Sequence, residues 1–254
     1  MDAQTPEAEE LSLPEAILLL ATNDSDGKPA VPMYALRTTL AGAILAELDL
    51  LGAIELQGKH VRATGTAPQT DFQRELALIR GKSRPHTPKR WVSMLEGRGE
   101  VQRVYEQMAS RGIVEQVGEK HLGLFKSMRY PEKDHGPEAA LLQQIEAALS
   151  GAPPEPAKAD ATAPEARPDT ETPPAEAPGT GPDSKAPDAG PSSTVPDART
   201  AALIALLEAA GLLGKLFPAA AQSRVRELAN GHWPSRAVVD ELRMIRLAEV
   251  EAIT

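Results

Sequence analysis

Residues 40–56 (LAGAILAELDLLGAIEL) change from a helical to a strand-like pattern of apolar positions at Gly52. Before Gly52 the apolar positions recur every three or four residues, which predicts a helix whose charged residues, Glu47 and Asp49, face outward. These apolar positions are Leu40, Ile44, Leu48 and Leu51. Gly52 suits the left-handed residue that ends a helix, because glycine adopts a positive φ without a steric penalty. The alternation that follows, over residues 54–56 and 60–64, predicts a β-hairpin.

A second unit with the same pattern lies sixty residues further along the chain, where GIVE at residues 112–115 matches GAIE at residues 52–55. An apolar stripe again leads to the glycine, formed by Val101, Val104, Tyr105 and Met108. A second hairpin is predicted after it, through Leu122, Leu124 and Phe125. The fold is therefore predicted to contain two helix-plus-hairpin repeats, which are too few for a solenoid.

Helical patterns fill most of the remaining sequence. Ser12-Leu13-Pro14-Glu15 forms a capping box with proline in the first turn, which predicts a helix from Ala16 to Ala21. Three further helices are predicted over residues 72–79, 91–95 and 139–149. Three more are predicted near the C-terminus: one from an N-cap at Asp197 to Gly211, one through Val225 and Leu228, and one from an N-cap at Ser235 to Leu247. The predicted fold class is mainly α, a single helical domain with surface β-hairpins.

A segment rich in proline and alanine interrupts these helical patterns. Residues 151–198 contain twelve of the 23 prolines and no aromatic residue. Such a composition cannot bury enough apolar surface to offset the entropy lost on ordering, so residues 151–196 are predicted to be a disordered linker. The predicted organisation is a flexible N-terminus over residues 1–10, the first part of the domain over residues 11–150, the linker, and C-terminal helices over residues 197–254 that complete the domain.

The residues that usually perform catalysis form no recognisable arrangement. The chain has no cysteine, which excludes disulfides, thiol nucleophiles and cysteine-ligated metals. The five histidines are scattered, and no two stand at the i, i+4 spacing of helical metal ligands. No glycine-rich phosphate loop or nucleophile elbow is present in the sequence. We therefore expect a protein that is not an enzyme and that has no cofactor or metal.

The net charge of −9 is concentrated in the predicted linker. Nine acidic and three basic residues between Gly151 and Ala198 give this segment a charge of −6, which leaves −3 for the rest of the chain. The acidic balance argues against general nucleic-acid binding. No apolar run approaches the roughly 20 residues that span a bilayer. We therefore expect a cytoplasmic location, with peripheral rather than integral attachment to membranes.

Five stretches of sequence, in this order, resemble the Golgi phosphoprotein 3 family, particularly its bacterial members. They are LSLPEAILLLA, LAGAILAELDLLGAIEL, TAPQTD, RGIVE and DARTAALIALLEAAGLLGKLF. The resemblance implies a mostly α-helical protein that is not an enzyme. Eukaryotic members of that family bind phosphatidylinositol 4-phosphate on Golgi membranes, and they act as adaptors that retain glycosyltransferases through their cytoplasmic tails.

The resemblance also implies where a lipid headgroup would bind. The family's pocket uses a tryptophan before the second helix, an arginine early in that helix, and two basic residues one turn apart before the second glycine stop. The tryptophan position falls at Pro32 or Met33, the arginine at Ala41, and the basic pair at Arg98 and Val101. Of these four positions, Arg98 keeps the chemistry of the family.

Two neighbouring arginines extend this site. A phosphorylated headgroup is best held by several cationic donors that converge on it, and arginine suits this role because it binds phosphate in a bidentate manner. Arg37 precedes the opening helix by one turn, and Arg103 lies five residues after Arg98. Arg37, Arg98 and Arg103 are therefore the predicted headgroup-binding residues, in a rearranged anion site.

The stretch from residue 80 to residue 90 is predicted to be a membrane-facing basic patch. It has five positive charges and no acidic residue, and Trp91 follows directly; the cations are Arg80, Lys82, Arg84, Lys89 and Arg90. Basic residues near an anionic membrane contribute about 1 kcal/mol each, so the patch would supplement a weak headgroup pocket. The alternative interpretation is a charged loop with Trp91 in the core.

The sequence leaves three functions open. The first is a peripheral-membrane adaptor whose partners are an anionic lipid, a phosphoinositide by resemblance, and the cytoplasmic tails of membrane proteins. The second is a protein–protein scaffold that has lost the lipid pocket, which is motivated by Pro32, Ala41 and Val101.

The third is a winged-helix-like DNA-binding regulator, because a helix followed by a hairpin is the recognition unit of that architecture. The apolar face of the Leu40 helix and the pI of 5.2 argue against the third. An oligomer is compatible with each function.

Overall fold

The computed structural model describes residues 10–121, 125–151 and 196–251. The predicted linker lies outside the described residues apart from its end positions, Gly151 and Pro196. The predicted flexible N-terminus also lies outside them apart from Glu10, and so do Leu122 and Leu124 of the second predicted hairpin.

The described residues form ten helices and two antiparallel hairpins. The helices are α1 (Leu13–Leu20), α2 (Met33–Leu50), α3 (Gln73–Arg80), α4 (Pro88–Leu95), α5 (Arg98–Ser110), α6 (Gly136–Ser150), α7 (Ala198–Ala210), α8 (Leu213–Leu216), α9 (Gln222–Ala229) and α10 (Trp233–Glu251). The strands are β1 (Ile54–Gln57) paired with β2 (His60–Ala63), and β3 (Val117–His121) paired with β4 (Phe125–Arg129). The predicted mainly α class is confirmed, and each hairpin follows a long helix, α2 or α5.

Helix α2 is the centre of the molecule. Thirteen of its 18 residues are buried, because α1, α4, α7 and α10 all pack against it. A helix enclosed in this way is apolar around most of its circumference rather than along one stripe. Even so, neither α2 nor any other described helix is long and apolar enough to cross a membrane.

The crossing of α2 and α10 depends on Gly42. A Cβ atom at this position would lie 2.2 Å from Cγ2 of Val238 on α10 and 3.3 Å from Cδ2 of Leu206 on α7. Real Cβ contacts are not that short, so the two neighbouring helices occupy the space that a side chain would need. The small residue that the sequence places at position 42 therefore allows the backbones to approach closely.

The prediction that Glu47 faces outward is wrong. Its carboxylate is buried, and it accepts hydrogen bonds from the backbone N–H of Leu13 at 2.8 Å and from the guanidinium of Arg199 at 2.7 and 3.0 Å. A buried carboxylate without partners would cost several kcal/mol, and these donors remove that cost. Because Arg199 lies at the start of α7, the ion pair joins the two parts of the domain. Asp49 also faces a neighbour, since it accepts a hydrogen bond from Nε1 of Trp233 at 3.0 Å.

Local signals for helix ends are confirmed where they rest on glycine or on a capping box. Gly52 has a φ of 63° and Gly112 a φ of 77°. In both units the next residue donates its N–H five positions back, from Ala53 to Leu48 at 2.9 Å and from Ile113 to Met108 at 3.0 Å. At the start of α1, Ser12 and Glu15 form the predicted capping box. The two units thus share the same helix ending.

Three element boundaries differ from the prediction. Helix α2 begins at Met33 rather than Leu40, because the buried Thr38 and Thr39 interrupt the apolar pattern without leaving the core. Helix α10 begins at Trp233, and Ser235 lies in its first turn rather than at the N-cap. The second hairpin comprises β3 from Val117 and β4 to Arg129, so it extends beyond the predicted Leu122, Leu124 and Phe125 at both ends.

Candidate functional site

Three arginines surround the turn that joins α4 to α5, and we call Arg37, Arg74 and Arg98 the turn cluster. Arg98 is the first residue of α5 and is exposed. Arg37 lies in the second turn of α2, and Arg74 lies at the start of α3. The turn itself consists of Glu96 and Gly97.

Helix α2 is fixed to this turn by a side-chain hydrogen bond. The hydroxyl of Thr38 donates to Oε2 of Glu96 at 2.8 Å. Burial raises the pKa of Glu96, and the hydrogen bond from Thr38 lowers it. The smaller electrostatic effects come from Glu241, which raises this pKa, and from Arg37, which lowers it. Arg37 is therefore close enough to influence Glu96, while its Nε donates to the carbonyl of Met33 at 3.3 Å.

A small pocket of about 360 Å³ lies beside the turn. Its lining includes Arg74 from α3, Gly97 from the turn and Glu100 from α5. Arg74 is exposed and was not among the predicted site residues. The sequence places it on the polar side of α3, but nothing local indicates that this side faces the α4–α5 turn.

Arg103, one of the three predicted headgroup residues, is occupied by partners within the fold. Its Nη2 lies 2.5 Å from Oε1 of Glu75 and 2.6 Å from Oε2 of Glu100, and its Nη1 donates to the carbonyl of Asp71 at 3.1 Å. The guanidinium also lies over the ring of Phe72, 5.5 Å from its centroid. Burial raises the pKa of Glu75, and Glu100 raises it further. Two carboxylates thus face one cation here, so little positive charge remains for a ligand.

The other positions implied by the resemblance belong to the core or to an uncharged surface. Ala41 is fully buried and Val101 is nearly so. Pro32 is exposed, and Met33 beside it is 46% exposed. Ala41 and Val101 therefore contribute apolar packing rather than charge.

The predicted basic patch, Arg80, Lys82, Arg84, Lys89 and Arg90, is mostly exposed. Lys89 lies 4.0 Å from Glu241 on α10, and Glu241 in turn influences Glu96. The first turn of α4 is therefore linked electrostatically, through Glu241, to Glu96 in the α4–α5 turn. Among the described residues, Lys82, Arg84 and Arg90 have no ion pair, whereas Arg80 donates to the carbonyl of Thr66. Trp91 is fully buried, so it belongs to the core as the alternative interpretation held.

A larger cleft, of about 1010 Å³, lies between α1, α6 and the start of α7. Its arginines are already paired: Arg111 contacts Glu15 at 2.8 Å, and Arg199 contacts both Glu47 and Glu10. Asp134 adds a further negative charge to the lining. Because both arginines are already paired with acids, this cleft does not suit an anionic headgroup.

Comparison with protein-family models gives a match that covers most of the chain. A sequence model of the Golgi phosphoprotein 3 (GPP34) family matches residues 13–245. The chain belongs to the Golgi phosphoprotein 3 family. No curated protein matches the chain closely enough to be reported. The match begins at the start of α1 and ends within α10, so the family assignment includes the turn cluster and the segments on both sides of the linker.

Proposed function

We propose that this protein is a peripheral-membrane adaptor without enzymatic activity, which binds anionic lipid headgroups through the turn cluster with the help of the basic patch. Membership of the Golgi phosphoprotein 3 family supports a role in lipid binding and adaptation in general. The finer statement, that the lipid is a phosphoinositide such as phosphatidylinositol 4-phosphate, rests on the resemblance and on the chemistry of the site.

One observation carries this proposal: positive charge is concentrated between Arg80 and Arg98. This segment has six cations and a single acid, Glu96, in a chain whose net charge is −9. The cations keep their charge available, since Lys82, Arg84 and Arg90 have no ion pair among the described residues. A surface of this kind attracts an anionic membrane even though the chain as a whole is acidic.

The magnitude of this attraction shows why a headgroup site is also needed. At about 1 kcal/mol per cation, three or four exposed cations contribute about 3 to 4 kcal/mol, which corresponds to a dissociation constant of roughly 1 mM or weaker. Bidentate contacts from Arg37 and Arg98 to a headgroup phosphate would add both affinity and selectivity. Met33, exposed next to Arg37, offers an apolar side chain at the membrane interface.

Vesicle co-sedimentation tests the membrane part of the proposal. We expect more protein on vesicles containing phosphatidylserine or phosphatidylinositol 4-phosphate than on phosphatidylcholine vesicles, with recovery falling as salt is added. The double variant Arg84→Glu and Arg90→Glu should bind all anionic vesicles at least about 30-fold more weakly, because it removes two attractive charges worth about 1 kcal/mol each and adds two repulsive ones. The matched control is Arg226→Glu with Arg243→Glu, two exposed arginines of α9 and α10. Equal recovery on neutral and anionic vesicles would rule out the proposal.

A second function is favoured by the burial of Ala41 and Val101. If those two substitutions abolished the family's lipid pocket, the protein would act as a scaffold between proteins, and its cations would serve other partners. The vesicle experiment separates the two functions, since a scaffold without a lipid pocket would show no preference for a phosphoinositide over another anionic lipid.

The winged-helix alternative receives no support from the fold. The helix that would enter the major groove, α2, is enclosed by four other helices. A recognition helix must expose the side chains that contact base edges, and α2 buries thirteen of its 18 residues.

A further inference from the structure

A group of metal-ligand side chains lies where the turn after α1 meets the start of α6. Asp24, Glu132 and His135 each offer one ligand atom, and these atoms all lie within 4.8 Å of one another. Asp24 is 108 positions away from Glu132 in the sequence, whereas Glu132 and His135 are three positions apart. The group is remote from the turn cluster in sequence and in its supporting elements.

The backbone holds these side chains in place. The N–H of Glu132 donates to the carbonyl of Asp24 at 3.3 Å, and the N–H of Tyr130 donates to the carbonyl of Gly27 at 3.4 Å. Gly27 has a φ of 63°, and a Cβ atom there would lie 2.5 Å from the backbone nitrogens of Tyr130 and Pro131. The two segments therefore pack backbone against backbone, which fixes the positions from which Asp24 and Glu132 project.

The carboxylate of Glu132 is buried, and one of its two oxygens has no partner. Its side chain is only 3% exposed, and Oε2 contacts Nδ1 of His135. The other oxygen, Oε1, is buried and has no hydrogen-bond partner. A buried charged oxygen without a partner is costly, and such atoms in folded proteins call for an explanation such as a bound ion.

Further negative charge surrounds the same point. The carboxyl of Glu138, in the first turn of α6, interacts with both Asp24 and Glu132. Three carboxyl groups thus lie close to one imidazole, and a bound cation would relieve the repulsion between them.

We infer that Asp24, Glu132 and His135 form a site for a divalent transition-metal ion of the Zn²⁺ class, with Glu138 beside it. One imidazole nitrogen with carboxylate oxygens is a donor set that Zn²⁺ accepts, and its ligand bonds of about 2.0 to 2.2 Å place neighbouring ligand atoms about 3.4 Å apart. The exposed side chains of Asp24 and His135 are free to close from their present separation to that distance. The ion would join the α1–α2 turn to the start of α6.

Zinc binding to the full chain, after dialysis against a chelator, tests the inference. We expect one Zn²⁺ per chain by titration calorimetry, a higher melting temperature with Zn²⁺ than without it, and no such change with Mg²⁺. Co²⁺ in place of Zn²⁺ should give visible absorption bands typical of low coordination number. Absence of binding heat and of any change in melting temperature would overturn the inference.

Variants separate this site from incidental binding to surface histidines. Asp24→Asn and His135→Gln change exposed side chains, so both proteins should fold, and each should bind Zn²⁺ at least tenfold more weakly. His60→Ala, which removes another exposed histidine, should bind like the unaltered chain. Melting temperatures measured without metal confirm that each variant is folded. Equal zinc affinity in Asp24→Asn, His135→Gln and the unaltered chain would show that the bound zinc lies elsewhere and would refute the site.

Discussion

His232 is kept neutral by its position at the start of α10. Its Nδ1 accepts the backbone N–H of Ser235 at 3.2 Å, and its own carbonyl accepts the Ser235 hydroxyl at 2.9 Å. Burial lowers the pKa of His232 to about 4. A protonated ring could not accept the Ser235 N–H, and it would add positive charge at the positive end of the helix dipole. The imidazole thus serves as the cap that the sequence assigned to Ser235.

This arrangement predicts how stability depends on pH. The unfolded chain takes up a proton on His232 near pH 6.5, whereas the folded chain resists until about pH 4, so stability that is fully present above pH 6.5 is lost as the pH falls between these values. The full loss corresponds to at most about 3 kcal/mol. Urea unfolding of His232→Asn, whose side chain accepts a hydrogen bond but does not titrate, should show a shallower fall over this range. The same slope in both proteins would contradict the assignment.

Single residues show where sequence information ends. Glu47 was expected to face solvent because it is charged, yet its partner Arg199 lies 152 positions away, beyond the linker. Arg103 was a reasonable headgroup residue by charge and position, but the acids that pair with it come partly from α3 through tertiary packing. Glu132 and His135 are close in sequence, but Asp24 joins them only in the folded chain. In each case, the missing information was a contact between distant segments.

Helices α2 and α10 can cross closely because position 42 has no side chain. In an exposed helix, alanine stabilises relative to glycine by about 0.5 to 1 kcal/mol, since glycine loses more conformational entropy on folding. At Gly42 the same methyl group would overlap Val238 on α10. Overpacking of a core costs about 1 to 3 kcal/mol, which exceeds the gain in helix propensity.

We therefore expect Gly42→Ala to lower the free energy of unfolding by about 1 to 2 kcal/mol. The matched control is Gly99→Ala in α5, where a Cβ would meet no atom within 4 Å and no cost is expected. Adding Val238→Ala to Gly42→Ala should cost less than the sum of the two single changes, because the second change makes room for the first. Urea unfolding of the parent and of the four variants gives the free energies of unfolding to be compared. A Gly42→Ala variant as stable as the parent would show that the helices do not cross at this point as described.

Elements defined by local chemistry were predicted more accurately than those defined by packing. Gly52 and Gly112 end their helices as predicted, because positive φ is a property of the residue itself. The start of α2 was missed by seven residues, because the periodicity test treats threonine as polar while Thr38 and Thr39 are buried. Thr38 is also the residue that fixes α2 to the α4–α5 turn, so the same oversight hid part of the candidate site.

At the scale of the whole molecule, positive and negative charge are separated. The segment from Arg80 to Arg98 is strongly basic, whereas both arginines that line the cleft between α1, α6 and α7 are paired with acids. The sequence predicted the basic segment, since its cations lie close together along the chain. The sequence did not predict the electrostatic contacts that link this segment to the start of α2. These contacts involve Glu241 of α10, which lies near Lys89 and influences Glu96, as Arg37 of α2 also does. We propose that this basic segment is the part of the molecule that approaches the membrane.

The most direct test of this account compares two double variants on two kinds of anionic vesicle with equal total charge, one containing phosphatidylinositol 4-phosphate and the other phosphatidylserine. Arg37→Glu with Arg98→Glu should abolish the preference for the phosphoinositide, because these residues are assigned to the headgroup. Arg84→Glu with Arg90→Glu should weaken binding to both vesicles by a similar factor, because these residues supply general attraction. The account is contradicted if Arg37→Glu with Arg98→Glu keeps the preference of the unaltered chain, or if that chain prefers neither lipid.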